Sequence, residues 1–212
     1  MGFFQKMFKS RKNRKRDAES SLLSKTFTDL NIRVGSSVTM DTSEFLMYDT
    51  SLDHDKVKPT DTVKAVLVYE VFGLTVNRII FNSNNFLQLV KMEDGMWEAM
   101  FFTESFSMIP DDWDDWLGKD GIMNGDEMED NSEVIYVKAW ENQDGALNYT
   151  GNVTNSTCEE EVNCDTMLFY RYIESIQGDD ETDELLLVEA SNGTRLSVYI
   201  GLEIDYASIK IL

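Results

Sequence analysis

Near the end of the chain, apolar residues fall at every second position: Leu196, Val198, Ile200, Leu202 and Ile204. Arg195, Ser197, Tyr199, Gly201 and Glu203 take the alternate places. A period of two puts the five apolar side chains on one face of a strand, so that face is expected to pack on a core and the other to meet solvent. Just before it, Asn192-Gly193 separates this strand from residues 184–190. Asn-Gly supplies the positive φ that a type I′ turn requires at both central residues, which predicts a tight hairpin.

The same device recurs upstream. Asp94-Gly95 stands between residues 85–92 and 96–103, and Asp144-Gly145 between residues 134–140 and 146–154. Phe72-Gly73 stands between residues 64–71 and 74–81, although Phe is a poor turn residue, and residues 167–174 add one more β-rich run. Connections this short leave antiparallel pairing of successive strands as the expected topology. Helix is sparse. Pro110 followed by acidic residues predicts a short helix to Leu117, and Leu23, Phe27 and Leu30 share helical spacing over residues 20–30. Residues 120–132 are acidic and contain glycine, and read as an exposed loop. The expected fold is mainly β (α+β at most): an antiparallel meander of about ten strands, a sandwich or curved open sheet, with short helices.

Charge changes the picture at the beginning of the chain. Lys6, Lys9, Arg11, Lys12, Arg14, Lys15 and Arg16 give residues 1–16 seven bases and no acid. The remainder holds 12 bases against 39 acids, a formal −27. The expected organisation is therefore a basic amphipathic arm, residues 1–16, on one acidic mainly-β domain, residues 17–212. If residues 3–8 are helical, Phe3, Phe4, Met7 and Phe8 fall within about 140° of arc at ~100° per residue, with Lys6 and Lys9 outside it. That arrangement suits contact with an anionic membrane surface, aromatics in the acyl boundary and bases on headgroups. The membrane-contact candidates are thus Phe3, Phe4, Lys6, Met7, Phe8, Lys9, Arg11, Lys12, Arg14, Lys15 and Arg16. Two other readings stay open: a disordered solubilising tail, and docking of Phe3, Phe4 and Phe8 into the β core. Nucleic acid is disfavoured by the −27 body, which repels phosphate. Met1-Gly2 is not a myristoylation pattern, because Lys6 stands where Ser or Thr is needed.

No apolar run approaches the ~18–20 residues of a membrane-crossing helix, and Asp17 and Glu19 follow the basic start where a signal peptide would turn apolar. The expectation is a cytoplasmic protein with peripheral contact at the inner membrane. In that compartment Cys158 and Cys164, read as neighbours in one loop, stay reduced, and Glu159, Glu160 and Glu161 oppose a thiolate at Cys158. Four Asn-X-Ser/Thr patterns, at Asn148, Asn152, Asn155 and Asn192, then read as polar turn residues. No cofactor is expected. The Asp120–Asn131 stretch resembles a calcium loop but has Ile122 at the third place and Asn131 at the twelfth, so its oxygen cage is incomplete. Asp111, Asp112, Asp114 and Asp115, and the acids from Asp179 to Glu184, read as solvated surface. With one histidine, His54, and no glycine-framed serine, no catalytic set stands out.

Gly2-Phe3-Phe4-Gln5 with Phe8, Val38-Thr39-Met40-Asp41-Thr42, Asn85-Phe86-Leu87-Gln88, and the closing Leu185-Leu186-Leu187-Val188 through Gly201-Leu202-Glu203-Ile204-Asp205 resemble the YjfK-like family of bacterial proteins of unknown function. The resemblance covers most of the chain and implies no activity and no catalytic residues. It implies relatives encoded near phage-shock-type proteins that act on the inner membrane. The bases of residues 11–16 and the acidic loop of residues 120–132 depart from the common pattern. The functional expectation is a non-enzymatic interaction protein with an unidentified protein partner. The alternatives are a metal-dependent or carboxylate hydrolase, and an acidic decoy for nucleic-acid-binding proteins.

Overall fold

A computed structural model describes residues 32–92, 94–130, 133–140, 145–178 and 181–212. The arm and the helix expected over residues 20–30 lie outside the described residues. Among the described residues twelve strands follow in order: β1 (Ser37–Thr39), β2 (Thr60–Val71), β3 (Leu74–Phe81), β4 (Phe86–Lys91), β5 (Trp97–Met108), β6 (Glu127–Glu129), β7 (Ile135–Lys138), β8 (Leu147–Asn155), β9 (Glu159–Glu174), β10 (Glu181–Ser191), β11 (Arg195–Ile204) and β12 (Lys210–Ile211). One short helix, α1 (Asp114–Leu117), lies between β5 and β6.

Every pairing is antiparallel, and the mainly-β expectation holds. Its closure is the new element. The pairs run β2-β3-β4-β5-β11-β10-β9-β8, and β8 returns to β2 through Leu67↔Val153 and Tyr69↔Gly151. Eight strands therefore form a barrel, in place of a sandwich or an open sheet. The expected hairpins at Phe72-Gly73 and Asn192-Gly193 are present, with φ of +52° and +77°, and +50° and +61°. The hairpin expected at Asp144-Gly145 is not formed. β7 and β8 do not pair with each other; each takes a different stretch of the same edge of β9. Turn chemistry specifies a reversal, but not that the two flanking strands bond to each other.

Register separates the two faces of the barrel wall. Tyr69, Val76, Arg78, Gln88, Phe102, Tyr199, Leu187, Glu189, Thr166 and Tyr149 fall on one parity through successive pairings. Arg78 and Glu189 then meet at 2.6 Å, although β3 and β10 are separated by β4, β5 and β11 in the ring. Contact across the ring marks that parity as the interior. Leu196, Val198, Ile200, Leu202 and Ile204 are all buried, as expected, but on the outside of the barrel. That outer face is covered in its turn: Phe45 packs on Phe101 at 5.4 Å between ring centroids, and Met123, Met128 and Tyr136 are buried in the same core.

β11 is therefore covered on both faces, and the expectation that its second face meets solvent is corrected. Ser197 is buried opposite Glu189, so an aspartate there would set two carboxylates together. Gly201 is buried too: a Cβ would stand 2.4 Å from Phe102 Cδ1, so the ring needs a residue without a side chain. Three further expectations are revised. Residues 120–132 are not simply an exposed loop, because Met123 and Met128 are buried and Glu127–Glu129 forms a strand. Cys164 lies buried within β9 rather than in a loop with exposed Cys158. Asn148, Asn152 and Asn155 lie in β8 and not in turns.

Candidate functional site

The barrel interior is filled by its own side chains. Arg78 donates from Nη1 to Glu189 Oε2 at 2.6 Å and from Nη2 to Tyr69 Oη at 3.1 Å and Gln88 Oε1 at 3.0 Å. Tyr149 donates to Glu189 Oε1 at 3.0 Å, and its ring stacks on Tyr69 at 4.0 Å. Phe86 lies 4.3 Å from the guanidinium carbon. Paired and hydrogen-bonded in this way, two charges can persist in a closed apolar wall. Burial pushes Tyr69 up to about 12, and Tyr149 well above its ordinary value with Glu189 adding to the effect. Burial, then Glu189, also pushes the Cys164 thiol up to about 12. The tyrosines stay neutral donors at neutral pH, and Cys164 stays a thiol, the opposite of an activated nucleophile. An interior pocket of about 40 Å³ is lined in part by Tyr69, Gln88, Trp140 and Thr166. Trp140 Nε1 and Thr166 Oγ1 are buried without a hydrogen-bond partner there. Space of that size suits water, not an organic ligand.

A second buried carboxylate fastens the outer layer to the wall. Glu184, on β10, is fully buried and accepts from Arg171 Nε at 2.5 Å, Tyr136 Oη at 2.7 Å, the Ser51 amide at 2.6 Å and the Thr50 hydroxyl. It thereby adds a shared anchor to three pieces: the segment before β2, the β7 strand and the barrel. Burial, then Glu184, raises the Tyr136 hydroxyl, so it too remains a donor.

Between these outer pieces and the wall lies a groove of about 540 Å³. Its floor is Phe106, Leu186, Val198 and Ile200; Met108, Trp116, Ile122 and Met128 form its sides; Glu127, Glu129 and Asp130 stand on its rim, with Ser51 and Ser105. A β-bulge explains the floor. Tyr199 pairs with Glu104 and Val198 with Phe106, so Ser105 is the extra residue on β5. One added residue inverts the parity, which turns Phe106 and Met108 outward instead of into the barrel.

The acidic side of the groove is also a sheet edge. β6 pairs only with β7 and ends the strand order among the described residues. Lys138 N donates to Asp126 O and Asp130 N to Val134 O, so in the alternating ladder the main-chain groups of Glu127 and Glu129 face away from β7. Both side chains are exposed, whereas Asp130 is half-buried and accepts from the Val134 amide. An apolar floor, two free carboxylates and a row of unpaired strand groups can accept an extended, basic, partly apolar polypeptide.

Of the residues singled out from sequence, the eleven of the arm lie outside the described residues, as do Asp179, Asp180, Asp144 and Asn131. Among the described residues, no three of His, Cys, Asp and Glu gather as a metal-holding group. Asn124, in the calcium-like stretch, instead bonds main chain: it donates to the carbonyls of Leu117 and Gly118 and accepts from the Ala146 amide. His54 sits exposed in a short 3-10 turn. Among the described residues no helix is long and apolar enough to cross a membrane. Glu184, read with its acidic neighbours as solvated surface, is instead fully buried, because it begins the apolar run of β10 and turns toward Arg171 and Tyr136. Arg78 and Glu189 were not singled out, although each is a lone charge beside an apolar strand run, which calls for a buried partner.

A family model described as a protein of unknown function (DUF2491) matches residues 3–210. No curated protein and no solved structure matches the chain.

Proposed function

We propose that this chain, which belongs to the DUF2491 family of unknown function along nearly its whole length, is a non-enzymatic binding protein for a basic, partly apolar polypeptide segment. The observation that carries this is the outer groove: an apolar floor of about 540 Å³ bordered by carboxylates and by the free edge of β6. Its volume lies within the ~300–1,000 Å³ typical of ligand sites. Each element has a role: the floor takes apolar side chains, Glu127 and Glu129 pair with bases, and the strand edge bonds main chain. Titrating the full chain with a short peptide alternating lysine and leucine tests this. Binding should weaken roughly tenfold in E127K/E129K and at high salt, because rim charges are screened and reversed. Equal affinity for an alternating glutamate–leucine peptide would refute it.

A second reading rests on the arm itself, where seven bases and no acid accompany Phe3, Phe4, Met7 and Phe8 in 16 positions. It is peripheral attachment to an anionic membrane, such as the bacterial inner membrane. Co-flotation with anionic liposomes should then be lost when residues 1–16 are deleted and weakened by salt. Flotation unchanged by the deletion would remove it.

A further inference from the structure

We infer that the occupant of the groove is the chain's own N-terminal arm, residues 3–16, held in the same molecule. The inference rests on the reading of the groove as a site for a basic, partly apolar segment, and it names that segment. Three observations converge on it. The first is charge. Arg11, Lys12, Arg14, Lys15 and Arg16 form the densest basic run in a chain whose residues 17–212 carry 12 bases against 39 acids. Glu127 and Glu129 are exposed on the groove rim. Opposite charges placed this way attract and fix register even where each pair adds little.

The second is the order of side chains. Phe3, Phe4, Met7 and Phe8 precede the basic run, so the arm is apolar at one end and cationic at the other. The groove has the matching division, with Phe106, Val198 and Ile200 on its floor and carboxylates on one border. That border is also the free edge of β6, able to bond an added extended segment.

The third is reach. The described chain begins at Ile32, and residues 17–31 lie between it and the arm. Fifteen intervening residues extend to at most about 50 Å. A body of this length measures roughly 40 Å across, so a linker of that reach lets the arm sample most of its surface. Tethering then presents the arm to the groove at an effective concentration on the order of millimolar, which makes a modest affinity sufficient. An arm held there is withheld from any membrane surface, so groove occupancy and membrane contact exclude each other.

Amide hydrogen exchange on the full chain tests the inference, read at the Glu127 and Glu129 amides, which point away from β7 on the strand that borders the groove. In the unaltered protein these amides should be protected. They should exchange at least ~10-fold faster in R11Q/K12Q/R14Q/K15Q/R16Q and in E127K/E129K, and faster at high salt in the unaltered protein. Protection independent of protein concentration supports the same-chain assignment. Protection that disappears on dilution, with a dimeric mass at higher concentration, would overturn it in favour of a second copy. Identical rates in all three proteins would also overturn it. A synthetic peptide of residues 1–16, added to the five-glutamine variant, separates the two levels of the argument. If it slows exchange while the tethered arm did not, the groove reading stands and only the same-chain occupant fails. If it does not, both fall.

Discussion

Replacing Glu189 by Leu is expected to cost the fold about 3–5 kcal/mol, because it leaves a guanidinium buried with no counter-charge. Arg78 and Glu189 expose only 4% and 5% of their side chains, so solvent cannot take over the lost partner. Tyr149 would lose its acceptor at the same time. Removing both charges, as in R78M/E189L, should recover much of that loss, since each charge alone is the costly species. Chemical denaturation of the two single variants and the double variant measures this. Strict additivity of the single losses would mean that the pair does not close the barrel interior as described.

The second large effect belongs to Glu184. Leucine there would strand four donors at once: Arg171, Tyr136, the Ser51 amide and the Thr50 hydroxyl. The expected loss is again about 3–5 kcal/mol. Its distribution should differ, because Glu184 ties the outer layer to the wall while Glu189 lies inside it. Amide exchange should accelerate first in residues 45–57 and β7, with β3 and β4 keeping their protection until global unfolding. Uniform acceleration through all strands would show that the outer layer does not open independently.

The two carboxylates also show why part of the structure was legible in the chain and part was not. The alternation from Leu196 to Ile204 and the Asn-Gly turn before it placed β10 and β11 side by side, with the five apolar residues buried. Alternation states which residues share a face; it does not say which face is the inside when both are covered. The run Leu185-Leu186-Leu187-Val188 held the corrective signal, since unbroken apolar sequence marks a strand buried on both sides. Closure was out of reach for a different reason. β8 pairs with β2 across a separation of some eighty residues, and no local pattern encodes that partner. The Asp144-Gly145 reversal pointed to a β7–β8 hairpin, yet both strands take partners on β9 instead. The groove was the least legible feature, because its floor comes from β5, β10 and β11 and its border from β6. Only the bulge at Ser105, invisible in composition or period, turns Phe106 toward it. The arm was legible as chemistry, and the groove supplies the surface with which that chemistry agrees.

The central claim is that binding takes place in the outer groove and not in the barrel interior. The most direct measurement is methyl NMR of the full five-glutamine variant during titration with the peptide of residues 1–16. The account predicts shifts concentrated at Ile122, Met128, Val198 and Ile200, which line the groove, with Val76, Leu168 and Leu187 of the interior unmoved. Shifts centred on Val76, Leu168 and Leu187, with the groove methyls unmoved, would contradict it.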